Sequence, residues 1–191
     1  MPDIKVSLLT AVTALDVADQ FYVVSSGTSK KVTVSSLRTG GYAKVEDQKA
    51  EGTTGGMATL GSYQVRDLNT IVEDVDGIVS SLSSNRITLV AGTYRCRIRC
   101  PSYAVNRNRA RLYNFTDSVK VLQGSAGQHG TSTSTDAWIV GKFTIAASKA
   151  LEIQHRFQLT TATYGLGVPS GDQWAGDGVE VFTEAEFWKI G

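Results

Sequence analysis

Arginines occupy every second position in two neighbouring segments of this chain, residues 93–100 and 107–113. They are Arg95, Arg97 and Arg99 in the first segment, and Arg107, Arg109 and Arg111 in the second. A guanidinium group presents paired donors that fit carboxylate and phosphate groups, so one hypothesis is a site for sulfated or acidic surface glycans. Alternating charge is also the ordinary exterior of a half-buried sheet. That interpretation predicts that the arginines pair with acids on adjacent strands or subunits.

Acidic residues near the C-terminal end could in principle support catalysis. Their positions are Asp172, Asp177, Glu180, Glu184 and Glu186. Two carboxylates at the right separation can cleave a glycosidic bond, but alternation along one strand explains Glu180, Glu184 and Glu186 equally. The sequence contains no glycine-rich phosphate loop, zinc motif or nucleophile elbow. We therefore expect no enzyme activity and no cofactor.

Two sets of residues are candidate metal ligands: His155, and the pair Cys96 and Cys100. His155 shares a strand face with apolar neighbours, so a threefold axis could gather three copies as a metal or anion site, or a core hydrogen bond could hold it. Cys96 and Cys100 lie on one predicted strand, about 13 Å apart, which is too far for a disulfide. Without nearby histidines or further cysteines they are predicted to be buried core thiols, and no metal site is expected.

Two glycine-rich polar segments, residues 124–136 and 163–175, are predicted to be exposed loops that carry recognition. Aromatic rings among small polar residues are typical of recognition surfaces and can stack on a sugar. Two alternatives remain open: the first loop is merely mobile, and the Trp174 ring closes the end of the fold or packs across a subunit boundary. The candidate receptor-binding residues are His129, Tyr164, Asp172 and Trp174.

The overall charge and apolar content exclude several classes of protein. Lys plus Arg (19) nearly balances Asp plus Glu (18), for a formal net charge of +1, whereas a general nucleic-acid binder carries a clear basic excess. Hydrophobic residues make up 41% of the chain, which excludes wholesale disorder. No apolar run is long enough for a membrane-spanning helix. We expect a folded protein without nucleic acid or membrane insertion.

Short alternating runs of β-branched and aromatic residues predict the elements that hold these side chains. The predicted strands cover residues 62–68, 85–89, 93–100, 107–113, 137–146, 150–160 and 178–190. Along 93–100, Tyr94 and both cysteines fall on one face and the arginines on the other. Antiparallel strands with long glycine-rich connections predict an all-β sandwich of the jelly-roll type over residues 59–191.

Residues 1–42 are predicted to form a separate opening unit, and residues 43–58 a polar connector. The apolar run at 21–24 and a second strand at 30–34, on either side of the turn at Gly27, predict a β-hairpin, and residues 35–38 a brief helix. A unit this small buries too little surface to be stable alone, which predicts a docking partner. The connector shows no heptad repeat, so it is not a coiled-coil shaft.

The opening unit carries a familiar pattern: Leu8, Ala14, Leu15, Asp16, Asp19, residues 21–24, residues 28–33 and Leu37. In these positions it resembles a module of tailed-bacteriophage structural proteins, often found at the N-terminus of fibres, spikes and other virion components. The resemblance implies that residues 1–42 attach the chain to another virion protein of the tail or capsid. The implied attachment residues are Phe21, Tyr22, Lys30 and Lys31.

A second pattern covers residues 87–89, 91–95, 101–103, 109–114, 116–117, 141–144, 151–156 and 186–189. Here the chain resembles the trimeric jelly-roll knob at the ends of some phage fibres, similar in architecture to complement and tumour-necrosis-factor domains. The resemblance implies a homotrimer whose inner strands line a threefold axis and whose loops are exposed. Candidate core or trimer-contact residues are Tyr94, His155, Phe157 and Trp188.

These resemblances imply a phage virion protein, a short trimeric tail fibre or spike whose head binds a host-surface glycan or protein. An alternative is a capsid-decorating or head-fibre protein, which the missing shaft favours. A glycan-cleaving enzyme is the third hypothesis. The expected location is the virion, assembled in the cytoplasm of the bacterial host.

Overall fold

The computed structural model describes residues 20–25, 27–33, 40–171, 176 and 178–190, and the chain divides into two compact units, Met1–Thr39 and Gly40–Gly191. In the first unit, β1 (Gln20–Ser25) pairs antiparallel with β2 (Thr28–Thr33). Gly27 in the connection has φ of 73°, a conformation that favours glycine. This confirms the predicted hairpin, whereas the helix predicted at 35–38 lies outside the described residues.

The predicted attachment residues lie on both strands of this hairpin. Phe21 and Tyr22 belong to β1, and Lys30 and Lys31 belong to β2, with Tyr22 directly opposite Lys31. The Lys31 side chain is exposed. Their role in attachment stays a prediction.

The described part of the second unit consists of strands and connections, and no helix in the described residues could span a membrane. Its strands are β3 (Gly41–Ala50), β4 (Gln64–Val65), β5 (Thr70–Asp74), β6 (Val79–Ser83), β7 (Arg86–Leu89), β8 (Gly92–Tyr103), β9 (Arg107–Asn114), β10 (Val119–Gln128), β11 (Ser134–Ile145), β12 (Lys149–Phe157) and β13 (Val179–Lys189). They form a five-stranded sheet, β11-β8-β13-β3-β5, and a six-stranded sheet, β10-β9-β12-β7-β6 with β4 beside β12. Named strands pair antiparallel, and most connections cross between the sheets. This confirms the all-β jelly-roll sandwich.

Apolar side chains from both sheets fill the space between them. On β8, Tyr94, Cys96 and Cys100 are buried while the arginines face outward, as the alternation predicts. Tyr94 stacks on Phe143 at 5.5 Å between ring centroids, and Phe143 meets Phe187 edge-on at 6.5 Å. Both cysteines are free, and burial raises the pKa of each thiol to about 12. The thiols are therefore unreactive parts of the core.

The predicted polar connector is wrong for residues 43–50, which belong to β3 between β13 and β5. Ala43 and Val45 are fully buried in the core. The charged side chains of β3 have partners: the Lys49 Nζ lies 3.1 Å from Asp47 Oδ1 and 2.9 Å from Asp67 Oδ2. Those charges conceal the strand pattern in the sequence. The second unit therefore begins at Gly40 rather than at residue 59.

The first predicted recognition loop, residues 124–136, is also largely wrong, because residues 119–128 form β10 and β11 begins at Ser134. Only a short turn connects the two strands. Gly124 shows why the segment is glycine-rich: a β-carbon there would lie 2.7 Å from the Trp138 carbonyl oxygen and 2.8 Å from the Ile139 side chain. Glycine thus lets the two sheets approach each other at this edge.

Candidate functional site

The outer face of the six-stranded sheet carries an open groove with a volume of ≈ 600 Å³. Arg107 and Arg109 lie on the exposed side of β9, and Arg156 stands directly opposite Arg109 on β12. Tyr63 and Gln128 line the same groove, and none of the described residues that line it is acidic. We call this surface the arginine groove.

The side chains of Arg107, Arg109 and Arg156 make no hydrogen bond or ion pair with any residue that the structure describes. Their exposure follows from strand alternation, because Asn108 between the first two arginines and His155 and Phe157 on either side of Arg156 are buried. The groove therefore presents three cations whose donors are directed to solvent.

Two other arginines on this sheet, Arg86 and Arg111, do by contrast have partners. Arg111 donates from Nε to Gln154 Oε1 at 2.8 Å, and its guanidinium lies 3.7 Å from the Tyr63 ring centroid. Gln154 Nε2 donates to Glu152 Oε2 at 2.7 Å, and Glu152 Oε1 accepts from Arg86 Nε at 2.8 Å. This chain of contacts fixes the Tyr63 ring at the border of the arginine groove.

On the outer face of the five-stranded sheet the arginines are paired with acids. Arg99 Nε donates to Glu184 Oε1 at 2.8 Å, and the same carboxylate group lies 3.4 Å from Lys44 Nζ. Arg97 Nη1 lies 4.0 Å from Glu186 Oε2. These contacts confirm, for Arg97 and Arg99, the interpretation of a charge-paired sheet exterior.

The same face carries four large side chains that we call the aromatic face: Val140 and Trp188 are exposed, and Tyr42 and Trp138 are half-buried. Val140 is 68% exposed, and Trp188 is 36% exposed with its ring centroid 5.5 Å from that of Tyr42. The Arg97 guanidinium lies 4.8 Å from the Trp138 ring centroid. Exposed and half-buried rings and an exposed valine among internally paired charges form a surface that a protein partner could cover.

Two of the four candidate receptor-binding residues, His129 and Tyr164, lie within the described residues, and they contact different partners. His129 lies in the turn after β10, with Nδ1 3.1 Å from the Gly130 carbonyl oxygen, next to the groove but not in its lining. Tyr164 is 43% exposed and meets Tyr103 edge-on at 6.4 Å. Asp172 and Trp174 lie outside the described residues.

The described part of the second predicted loop, residues 163–171, is anchored to the sandwich. Leu166 is buried and packs in a small second core with Ala58 and Phe157. The Gly55 amide donates to the Gly167 carbonyl at 3.0 Å. The end of the predicted connector thus packs under this loop.

Three of the four core or trimer-contact candidates belong to the interior of a single chain. Tyr94 is buried, and the His155 and Phe157 rings lie 4.3 Å apart between centroids. His155 is fully buried with Nε2 3.0 Å from Asn108 Oδ1, so no second copy can reach it and the threefold metal hypothesis is wrong. The fourth candidate, Trp188, lies on the outer face of β13, and its role in subunit contact stays a prediction. Among the described residues, no group of His, Cys, Asp and Glu could hold a metal ion.

The predicted carboxylate row on β13 is interrupted. A bulge between Val181 and Glu184 shifts the alternation, so Glu180 is buried away from Glu184 and Glu186. Its carboxylate accepts hydrogen bonds from the Ser170 hydroxyl at 2.8 Å and the Gly52 amide at 3.1 Å. Glu180 is thus a structural acceptor.

Sequence reasoning missed Arg66, the largest fully buried side chain among the described residues. Its guanidinium donates to the Thr183 hydroxyl and to the Pro101 and Leu166 carbonyls. In the sequence it is one polar residue in an alternating run, and no local signal distinguishes it. Tyr63 and Arg156 of the groove were missed for a similar reason, since only strand pairing reveals their position.

Comparisons with known proteins identify no matching family model and no significantly similar curated protein. Among solved structures, the chain is similar to the globular domain of zebrafish complement 1qA protein, at 14% identity and a TM-score of 0.49, covering 79% of this chain and 97% of that one. It is also similar to murine APRIL, at 7% identity and a TM-score of 0.49, covering 78% of this chain and 98% of that one. It is similar as well to the structure of Eiger TNF from S. frugiperda, at 11% identity and a TM-score of 0.45, covering 81% of this chain and 94% of that one. Function must therefore be inferred from this chain's own residues.

Proposed function

We propose that this chain is a structural protein of a tailed-phage virion, a short trimeric fibre or spike whose head, residues 40–191, binds the host surface. The observation that supports host-surface binding is the arginine groove, where a tyrosine and three arginines without a partner among the described residues line an open groove. Among the described residues, no carboxylate or histidine lines it, which favours binding over glycan cleavage. The virion role is supported by the sequence resemblances.

The aromatic face supports self-association of the head. Trp188 and Val140 are exposed on it, while Arg99 and Glu184 already satisfy each other within the chain. A second copy can cover such a surface without leaving a buried unpaired charge, which would be costly. Closed symmetric assembly then places identical grooves around one axis.

A capsid-decorating or head-fibre protein is the second candidate. The observation that favours it is the position of β3: because Gly41–Ala50 belongs to the sheet, these residues are part of the head and do not form a shaft.

Immunogold labelling of purified phage particles tests this proposal. Gold on the tail supports the fibre or spike, and gold on the shell supports decoration. Particles that lack this protein provide the control for antibody specificity. Absence of label from particles, with the protein found elsewhere in the culture, would contradict both functions. Release of sugars from host glycan by the purified protein would instead support the enzyme hypothesis.

A further inference from the structure

Positive charge is crowded in the arginine groove. Arg109 and Arg156 are directly opposed on neighbouring antiparallel strands, and Arg107 lies two positions before Arg109 on the same strand. Opposed β-carbons lie about 5 Å apart, and alternate residues of a strand roughly 7 Å apart. Both spacings are shorter than the Debye length of about 8 Å at physiological salt, so the charges repel one another. No described acid offsets this repulsion.

An anion bound between Arg109 and Arg156 would remove that repulsion. It would also accept the unused guanidinium donors in charge-assisted hydrogen bonds, which are stronger than neutral ones. The structure therefore favours a negatively charged group at this position.

Tyr63 adds a second recognition element. One side of its ring is covered by the Arg111 guanidinium at 3.7 Å, and Arg111 is itself held by Gln154 at 2.8 Å. The ring is therefore fixed before any ligand arrives. Gln128 and Gln158 provide amides in the same lining. A ring, amides and cations side by side suit a hydroxylated ring that carries an acidic group, because a simple anion would use the arginines alone.

We propose that the arginine groove binds an acidic saccharide of a surface polysaccharide, with its anionic group between Arg109 and Arg156 and its ring against Tyr63. The proposal rests on the proposed function of host-surface binding and adds the class of ligand. The open groove of ≈ 600 Å³ suits a short stretch of a polymer. A nucleic acid fits less well, because phosphate tracking requires a longer basic surface and the chain carries a net charge of only +1.

Isothermal titration of the full-length chain tests the ligand class. The probes are two acidic trisaccharides (trigalacturonate and a trimer of sialic acid), fully methyl-esterified trigalacturonate, inorganic phosphate and a single-stranded dT oligonucleotide. We expect at least one acidic trisaccharide to bind about tenfold more tightly than the methyl ester or phosphate, with affinity that falls as salt increases.

Variants test the site. Arg109→Gln combined with Arg156→Gln should weaken trisaccharide binding about tenfold or more, while the unliganded protein melts at the same or a higher temperature because repulsion is relieved. Tyr63→Leu should weaken binding about threefold to tenfold, with the salt dependence unchanged. The matched control, Lys120→Gln with Lys142→Gln, removes two exposed charges of the same unit that do not line the groove and should leave binding within about twofold.

Several results would overturn the proposal: failure of both acidic trisaccharides to bind, equal binding of the ester, unchanged affinity of the Arg109 and Arg156 variant, or tighter binding of phosphate or the oligonucleotide. These measurements use purified protein, so their success would stand even if labelling found no protein on phage particles. Conversely, labelling of the tail without saccharide binding would overturn only the proposed class of ligand and not the proposed virion function.

Discussion

Arg66 and Thr183 are joined inside the sandwich by a hydrogen bond of 2.9 Å from the guanidinium Nε to the threonine hydroxyl. The two remaining nitrogens donate to the Pro101 carbonyl at 3.1 Å and the Leu166 carbonyl at 2.8 Å. Arg66 forms no ion pair within the described residues, and burial lowers the pKa of its guanidinium. One buried cation thus connects β8, β13 and the loop that contains Leu166.

Replacing this cation should destabilise the head strongly. Arg66→Ala should lower the free energy of unfolding by about 3–5 kcal/mol, because a cavity forms and three acceptors lose their donor. Arg66→Lys should retain part of the stability. Urea denaturation measures both, with Arg95→Ala, an exposed arginine, as the control. An Arg66→Ala variant as stable as the control would show that desolvation of the cation cancels its hydrogen bonds.

His155 should make the protein sensitive to mild acid. Burial, with Arg66 nearby, lowers the pKa of His155 well below its usual 6.5. The unfolded chain then binds a proton that the folded chain does not, so stability is lost as the pH falls below about 6.5. We expect a slope of up to about 1.4 kcal/mol per pH unit between roughly pH 6.5 and 5.

Denaturation of wild type and His155→Gln across this pH range measures the effect. The glutamine variant should lose most of the slope, since its side chain does not titrate. His129→Gln, in the turn after β10, serves as the control and should behave as wild type. Equal slopes for wild type and His155→Gln would assign the acid sensitivity to other groups.

Self-association should depend on the aromatic face. Val140→Glu places a charge on a side chain that is 68% exposed in the single chain, so the fold should survive while the interface does not. Light scattering should show trimers for wild type and monomers for the variant, and the melting temperature of the variant should no longer rise with concentration. Val119→Glu, at a 51% exposed valine of β10, is the matched control. Monomeric wild type at micromolar concentration would contradict the prediction.

Truncation should separate the two units at Gly40. A fragment of residues 40–191 should fold, because the described core residues lie between Ala43 and Phe187. A fragment of residues 59–191 lacks β3 and exposes the edges of β13 and β5, so it should aggregate or remain unfolded. Circular dichroism and thermal melting compare the two. A cooperative transition for 59–191 would show that β3 is dispensable. The longer fragment should fail to enter particles if residues 1–39 provide attachment.

Local pattern was sufficient for much of the fold. Along β8 the burial of Tyr94 and Cys96 follows directly from alternation, and Gly27 marks the N-terminal hairpin. The pattern failed at β3, because Glu46 and Asp47 are buried with lysine partners that a sequence cannot reveal. It failed at β10 because glycines that permit close approach of two sheets resemble loop glycines.

The sequence alone determined that this chain forms a sandwich of alternating strands with outward arginines, because successive side chains of a strand point to opposite faces whatever its neighbours are. Only the tertiary structure decided which arginines have partners. Strand register places Arg99 beside Glu184 and Arg109 opposite Arg156, and register depends on long-range pairing and core packing rather than on local spacing. The same alternating pattern therefore produces a charge-paired surface on one sheet and an unpartnered basic groove on the other.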